Sequence, residues 1–141
     1  MRLFLDTSVL LAASGSANGA SREIFRLAAP NQWTLIATPY VIGEVRRNLF
    51  HFPASASADW NQLRTDLLPL DDVFTADRPT VFAPAKDRPI LFSALAWADV
   101  LLTLDRGDFE TLLGSEFYGL AILTPGNFLG RERSVGRLKL A

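Results

Sequence analysis

Leu3-Phe4-Leu5-Asp6-Thr7-Ser8-Val9-Leu10-Leu11-Ala12-Ala13 opens the chain with a short apolar run, an acid and a helix start. An apolar run without alternation is the pattern of a parallel strand buried on both faces. The hydroxyls of Thr7 and Ser8 are capping candidates for the helix that follows. The same pattern returns late in the chain, where Val100-Leu101-Leu102-Thr103-Leu104 leads into Asp105. Working outward from the first stretch, residues 15–19 form a small-residue break. Ser21 then begins a helix with apolar positions Ile24, Phe25, Leu27 and Ala28, closed by Pro30-Asn31. Trp33 to Ala37 reads as a second strand. Thr38-Pro39 starts the next helix, with a hydroxyl N-cap and proline at the first helical position. Val41, Ile42, Val45 and Leu49 make its apolar stripe.

After a small-residue loop at 53–58, a helix is expected over 59–68, ended by Pro69, and a third strand over 70–74. Residues 75–86 read as a loop with a short extended piece near Val81-Phe82. Ile90, Leu91, Ala94, Leu95 and Ala98 mark a helix, Leu120 to Leu123 the last strand, and Thr124-Pro125 the cap of a short final helix. Strands alternating with helices predict an α/β fold, a mainly parallel sheet covered on both faces. The expected organisation is one domain over residues 1–130 and a basic C-terminal tail over 131–141 without core periodicity.

Composition narrows the chemistry. The 141 residues make about one domain, long enough to bury a core, and 49% hydrophobic against 21% charged residues argues against disorder. There is no cysteine and one histidine, His51, so disulfides, Cys-ligated zinc and multi-His metal sites are excluded. Any divalent ion has to be held by oxygen, which points to magnesium or manganese. A Ser-His-Asp triad from Ser8 or Ser93 is improbable with His51 in Asn48-Leu49-Phe50-His51-Phe52. Gly15-Ser16-Ala17-Asn18-Gly19 is no phosphate loop, because no Gly-Lys-Ser/Thr follows. Trp33, Trp60 and Trp97 read as core or helix-face residues. No signal peptide and no run near the about 18 apolar residues of a membrane span is visible, so no membrane role and a cytoplasmic location are expected.

The acids carry the functional argument. Asp6 and Asp105 each follow a buried strand, and ligands of open α/β sheets bind at the carboxyl ends of strands. Glu44 falls on the second turn of its helix, Asp87 immediately precedes a helix, and Asp108 follows Asp105 closely. Clustered carboxylates resist burial in charged form unless a cation neutralises them. One or two divalent ions held there would lower the pKa of a bound water and steady charge on a transferring phosphoryl group. Singly, each acid also fits a structural role: Asp6, Asp87, Asp105 and Asp108 as caps, Glu44 as a solvent-facing helix residue.

These stretches resemble the PIN-domain family. Leu5-Asp6-Thr7-Ser8-Val9-Leu10 is similar to the family's opening, and Thr38-Pro39-Tyr40-Val41-Ile42-Gly43-Glu44-Val45 to its second block. Lys86-Asp87-Arg88-Pro89-Ile90-Leu91 and Leu102-Thr103-Leu104-Asp105-Arg106-Gly107-Asp108-Phe109 resemble the third and fourth. Ile122-Leu123-Thr124-Pro125-Gly126-Asn127-Phe128-Leu129 resembles the usual ending. The resemblance implies a three-layer α/β/α sandwich with a central mainly parallel sheet, and a magnesium- or manganese-dependent ribonuclease site. It implies Asp6, Glu44, Asp87 and Asp105 as the catalytic, metal-binding quartet, Asp108 as a further metal ligand and Thr103 as a hydroxyl beside the site. It implies an RNA substrate and, since the arrangement is closest to small toxins of toxin–antitoxin pairs, an antitoxin protein as partner and a homodimer. The chain departs from the family pattern between Ala94 and Val100, where the usual glycine before the fourth strand is missing.

Net charge is −1, which argues weakly against nucleic acid, but Arg46, Arg47, Arg88 and Arg106 lie within a few positions of the acids. The tail adds Arg131, Arg133, Arg137 and Lys139 against Glu132. Such a distribution suits a phosphate backbone around an acidic centre, or merely solvated faces. The competing function is a non-catalytic PIN-like RNA- or protein-binding module, which has no need of four converging carboxylates. A phospho-aspartyl protein would need a second acid beside Asp6, and position 8 is Ser8.

Overall fold

A computed structural model describes residues 1–75 and 87–140. The extended piece expected near Val81-Phe82 lies outside them. Strand β1 (Arg2–Leu5) leads into helices α1 (Thr7–Gly15) and α2 (Ala20–Asn31). Strand β2 (Thr34–Ala37) is followed by α3 (Pro39–Asn48), a 3-10 turn at Leu49–His51 and α4 (Ser55–Leu63). A second 3-10 turn, Arg64–Asp66, enters β3 (Leu67–Pro69). The rest is α5 (Arg88–Trp97), β4 (Val100–Leu102), β5 (Glu116–Phe117), β6 (Leu120–Leu123) and α6 (Pro125–Ser134).

The sheet order is β3-β2-β1-β4-β6-β5, parallel throughout except for β5 against β6. The chain runs outward from β1 to β3 and then crosses back to β4. Right-handed crossovers put α1 to α4 on one face and α5, on the return to β4, on the other, an α/β/α sandwich, while α6 comes back to pack beside α2. β1 and β4 are central neighbours, with Leu5 opposite Leu102. Leu3, Phe4, Leu5, Leu101 and Leu102 are fully buried, as the unalternating apolar runs require. Trp33 and Trp60 are core residues. No helix among the described residues is long and apolar enough to cross a membrane.

The structure corrects the third strand. It occupies Leu67–Pro69, opposite Leu35 to Ala37, and not residues 70–74. The helix before it starts at Ser55, inside the stretch expected to be loop, and stops at Leu63. Proline was expected to end a helix, but β3 is an edge strand bonded on one side only. An edge strand tolerates Pro69 because the missing N–H has no ladder partner to lose. Residues 71–73 instead bridge two helices. Asp72 accepts Tyr40 N–H at 3.0 Å, Val73 donates to Ser93 Oγ at 2.8 Å, and the Trp97 indole donates to Asp71 C=O at 2.8 Å.

Two caps differ from expectation. Thr38 occupies the N-cap position of α3 but its hydroxyl makes no capping bond; Asp72 supplies a carboxylate to the helix instead. α5 ends on Ala98 in extended conformation, its N–H on Ala94 C=O. No left-handed residue is required there, which accounts for the absent glycine. At the other end of the chain α6 includes Arg131 and Arg133 in its last turn, so the basic segment begins within a helix.

Candidate functional site

Parallel pairing of β1 and β4 ends both strands at the same edge, and the residues that follow them meet there. Asp6 comes next after β1 and Thr103 next after β4. The Thr103 hydroxyl donates to Asp6 Oδ2 at 2.7 Å and accepts Asp105 N–H at 3.0 Å. Ser8, on the first turn of α1, repeats the pattern: its hydroxyl donates to Asp6 Oδ2 at 3.0 Å and accepts Leu104 N–H at 3.0 Å. Asp6 Oδ1 accepts Thr7 N–H at 2.6 Å. Asp105 Oδ1 in turn accepts Asp108 N–H at 2.9 Å. A continuous polar network therefore runs from the end of β1 through the end of β4 to Asp108.

Asp6 is only 4% exposed. Burial pushes its carboxyl up to about 6 from 3.8, against the lowering effect of the Thr103, Ser8 and Thr7 hydrogen bonds, and the charge of Glu44 raises it further. Glu44 stands next to it on α3, its carboxylate accepting the Thr7 hydroxyl at 2.8 Å. Thr7 thus links the pair, with its N–H on Asp6 and its O–H on Glu44.

Asp87, Asp105 and Asp108 form a second group, each offering one carboxylate oxygen, all within 4.8 Å of one another. Asp87 is buried at the start of α5 and its side chain makes no helix-capping bond, so a cap does not account for its placement. Asp105 does cap the turn that follows it, and Asp6 does accept a first-turn amide of α1. These bonds leave lone pairs on both carboxylates, so capping and ligation are compatible. The structure thus divides the five acids into an Asp6–Glu44 pair and an Asp87–Asp105–Asp108 group, joined through Thr103 and Asp105. The donor set is entirely carboxylate oxygen, which fits a hard cation such as magnesium or manganese. The buried acid held near 6 fits as well, because a bound cation would favour its charged form.

The sequence reading takes Ser8 as a capping candidate or a nucleophile and Thr7 as a capping candidate, and neither as a partner of Asp6. The signal was present in Asp6-Thr7-Ser8. Two hydroxyls placed directly after an acid at a strand end can wire that acid to its neighbours.

The PIN-domain family model matches residues 2–107 of the chain. Among curated proteins none matches. Among solved structures, the chain is similar to a protein of VapBC2 from Rickettsia felis bound to a DNA fragment from their promoter. The TM-score is 0.59 and the identity 16%, over 86% of this chain and 97% of that one. At that identity the likeness concerns the fold.

Proposed function

Since the chain belongs to the PIN-domain family, we propose that it is a magnesium- or manganese-dependent endoribonuclease that hydrolyses RNA phosphodiester bonds, and the toxin of a toxin–antitoxin pair. The observation that carries this reading is the group of Asp87, Asp105 and Asp108, tied through Thr103 to the buried Asp6 and its neighbour Glu44. Family membership supports hydrolase activity of the nuclease type. The likeness of fold to VapBC2 supports a toxin with an antitoxin partner.

Asp6, Glu44, Asp87, Asp105 and Asp108 are the residues that would hold metal. A bound ion supplies an activated water and stabilises charge on the phosphoryl group. The chain's own part is positioning: Thr103 and Ser8 fix the Asp6 carboxylate, and Thr7 fixes Glu44 against it. Arg46, Arg47 and Arg106 are exposed and near the acids in sequence, available to the RNA backbone. A soluble cytoplasmic location and a homodimer accord with this reading, and residues 1–130 would be the catalytic domain.

The test is RNA cleavage by purified protein with manganese and with excess EDTA, beside growth of cells expressing the protein without a partner. Metal-dependent cleavage and growth arrest are expected. Undiminished cleavage in EDTA would defeat the metal-dependent reading. Metal-dependent cleavage without growth arrest would leave a nuclease that is no toxin, and metal binding without cleavage would favour a binding module.

A further inference from the structure

The network around Asp6 uses its two oxygens unequally. A carboxylate has about four in-plane acceptor positions, two on each oxygen. Oδ2 receives two hydroxyl donors, Ser8 at 3.0 Å and Thr103 at 2.7 Å. Oδ1 receives one donor, the Thr7 N–H at 2.6 Å. Oδ2 is filled, and one position remains on Oδ1.

The two hydroxyls are themselves fixed in direction. Each accepts one of the consecutive amides of Leu104 and Asp105, so each has its proton left for Asp6. A serine hydroxyl with no amide behind it would be free to turn toward solvent. Here the amide sets the lone pair, and the proton points to Oδ2. The backbone that carries Asp105 and Asp108 is therefore tied to the oxygen that orients Asp6.

We propose that Ser8 is a positioning residue for metal: together with Thr103 it occupies Oδ2, so that Asp6 presents Oδ1 alone and ligates one ion through one oxygen. The inference rests on the metal-dependent reading of the site and adds to it which oxygen serves and what enforces the choice. It also sets a limit. While both hydroxyl bonds stand, Oδ2 has no acceptor position left that could serve a second ion. Outer hydrogen bonds of this kind orient a ligand, and their loss commonly costs about 10- to 100-fold in metal affinity.

The experiment measures manganese affinity of the full chain by electron paramagnetic resonance titration, for the parent, Ser8→Ala and Ser8→Thr. Circular dichroism in EDTA checks the fold of each. Ser8→Ala should weaken binding by about 10-fold or more, and Ser8→Thr, which keeps the hydroxyl, should restore it to within a few-fold of the parent. Equal affinity for the parent and folded Ser8→Ala overturns the proposal, as does equal loss in both variants. A parent that binds no manganese overturns this inference and the metal-dependent reading together; a parent that binds while Ser8→Ala is unchanged overturns this inference alone.

A second measurement needs no Ser8 variant. Infrared difference spectra, manganese minus EDTA, are recorded for the parent and for Asp6→Asn. The carboxylate signal that Asp6→Asn removes should show a separation of antisymmetric and symmetric stretches no narrower than that of a free carboxylate, because one-oxygen ligation widens it and the hydroxyl bonds on Oδ2 offset part of that widening. A narrowed separation, the mark of two-oxygen ligation, overturns the proposal.

Discussion

Asp6 and Glu132 are both buried carboxylates, 4% and 1% exposed, and they are treated in opposite ways. Asp6 follows the carboxyl end of β1. Glu132 lies at the other end of the sheet, beside a cavity it shares with Met1 and Trp33, the residues preceding β1 and β2. Glu132 is met by a cation: Arg137 donates to it through Nε at 2.8 Å and approaches through Nη2 at 2.7 Å, with Arg131 at 3.9 Å. The hydrogen-bond donors of Asp6 are all neutral, and Glu44 adds a like charge. The contrast separates structure from function. A buried acid matched by arginine closes a fold, here drawing residues 137–139 back onto α2 through Asn31, which exchanges two hydrogen bonds with Lys139. A buried acid surrounded by hydroxyls keeps an unmet demand for a cation.

The largest expected effect tests that division directly. Asp6→Asn should reduce manganese-dependent RNA cleavage to background with the fold intact, because the amide lacks the charge and binds a hard cation poorly. Thr103→Val should cost about 10- to 100-fold, since it removes a hydrogen bond that orients Asp6. Glu132→Gln should stay within a few-fold of the parent. Cleavage rates on one RNA at saturating manganese make the comparison, and a Glu132→Gln loss matching that of Asp6→Asn would break it.

That division was half legible in the sequence. The acid at the strand end could be read from Leu3-Phe4-Leu5-Asp6, because a buried parallel strand needs an unbroken apolar run and Asp6 interrupts it. The convergence of Asp6 with Thr103 follows once β1 and β4 are neighbours. The sheet order that makes them so is a long-range fact that no local pattern carries. Glu132 reads as one acid in a basic tail, since Arg131 before it and Arg133 and Arg137 after it suggest a solvated segment. Its burial depends on α6 continuing to Ser134 and packing beside α2. β3 was misplaced for a related reason. Leu70-Asp71-Asp72-Val73-Phe74 has enough apolar character for a strand, yet the β2 register is taken up by Leu67 to Pro69.

The next effect is on stability and its dependence on pH. In the folded protein the Asp6 carboxyl sits at about 6, against 3.8 when free. Between these values the folded state holds more proton than the unfolded one, so stability falls as pH rises through the window. The full penalty above it is about 3 kcal/mol. Asp6→Asn carries no such titration. The amide turns a donor toward Thr7 N–H, a cost that does not vary with pH, so the trend isolates the charge. In EDTA, the stability of the variant relative to the parent should climb from pH 4 to pH 7 and then level off. Urea melts at each pH check this. A difference that is flat across the window would remove the buried charge from Asp6.

Metal should reverse that penalty in the parent. An ion that binds only the folded form stabilises by mass action, about 2.7 kcal/mol at a concentration 100 times its dissociation constant. Manganese should raise the melting temperature of the parent and of Glu132→Gln equally, and that of Asp105→Asn less. Asp105→Asn should also be no less stable than the parent in EDTA, since it relieves repulsion with Asp87 and Asp108. A variant that is less stable in EDTA with an unchanged manganese shift would leave Asp105 as a turn cap only.

The smallest effect sharpens the other side of the comparison. If Glu132 is structural, what matters is its match with Arg137, and removing the cation should hurt more than removing the acid. Arg137→Met leaves a charged carboxylate at 1% exposure with Arg131 3.9 Å away, too far for a hydrogen bond. The cost should be about 2 kcal/mol, moderated because that carboxylate can still draw Arg131 closer. Glu132→Gln leaves a neutral amide that still accepts from Arg137, whose side chain is 59% exposed and can rehydrate. Its cost should be about 1 kcal/mol. The double variant should therefore lose less than the sum of the two, because the unmatched charge that burdens Arg137→Met is gone. Urea melts of the four proteins at neutral pH give the cycle. Strict additivity would mean that the acid and the arginine contribute independently, and Glu132 would then be buried without its charge being matched, as Asp6 is.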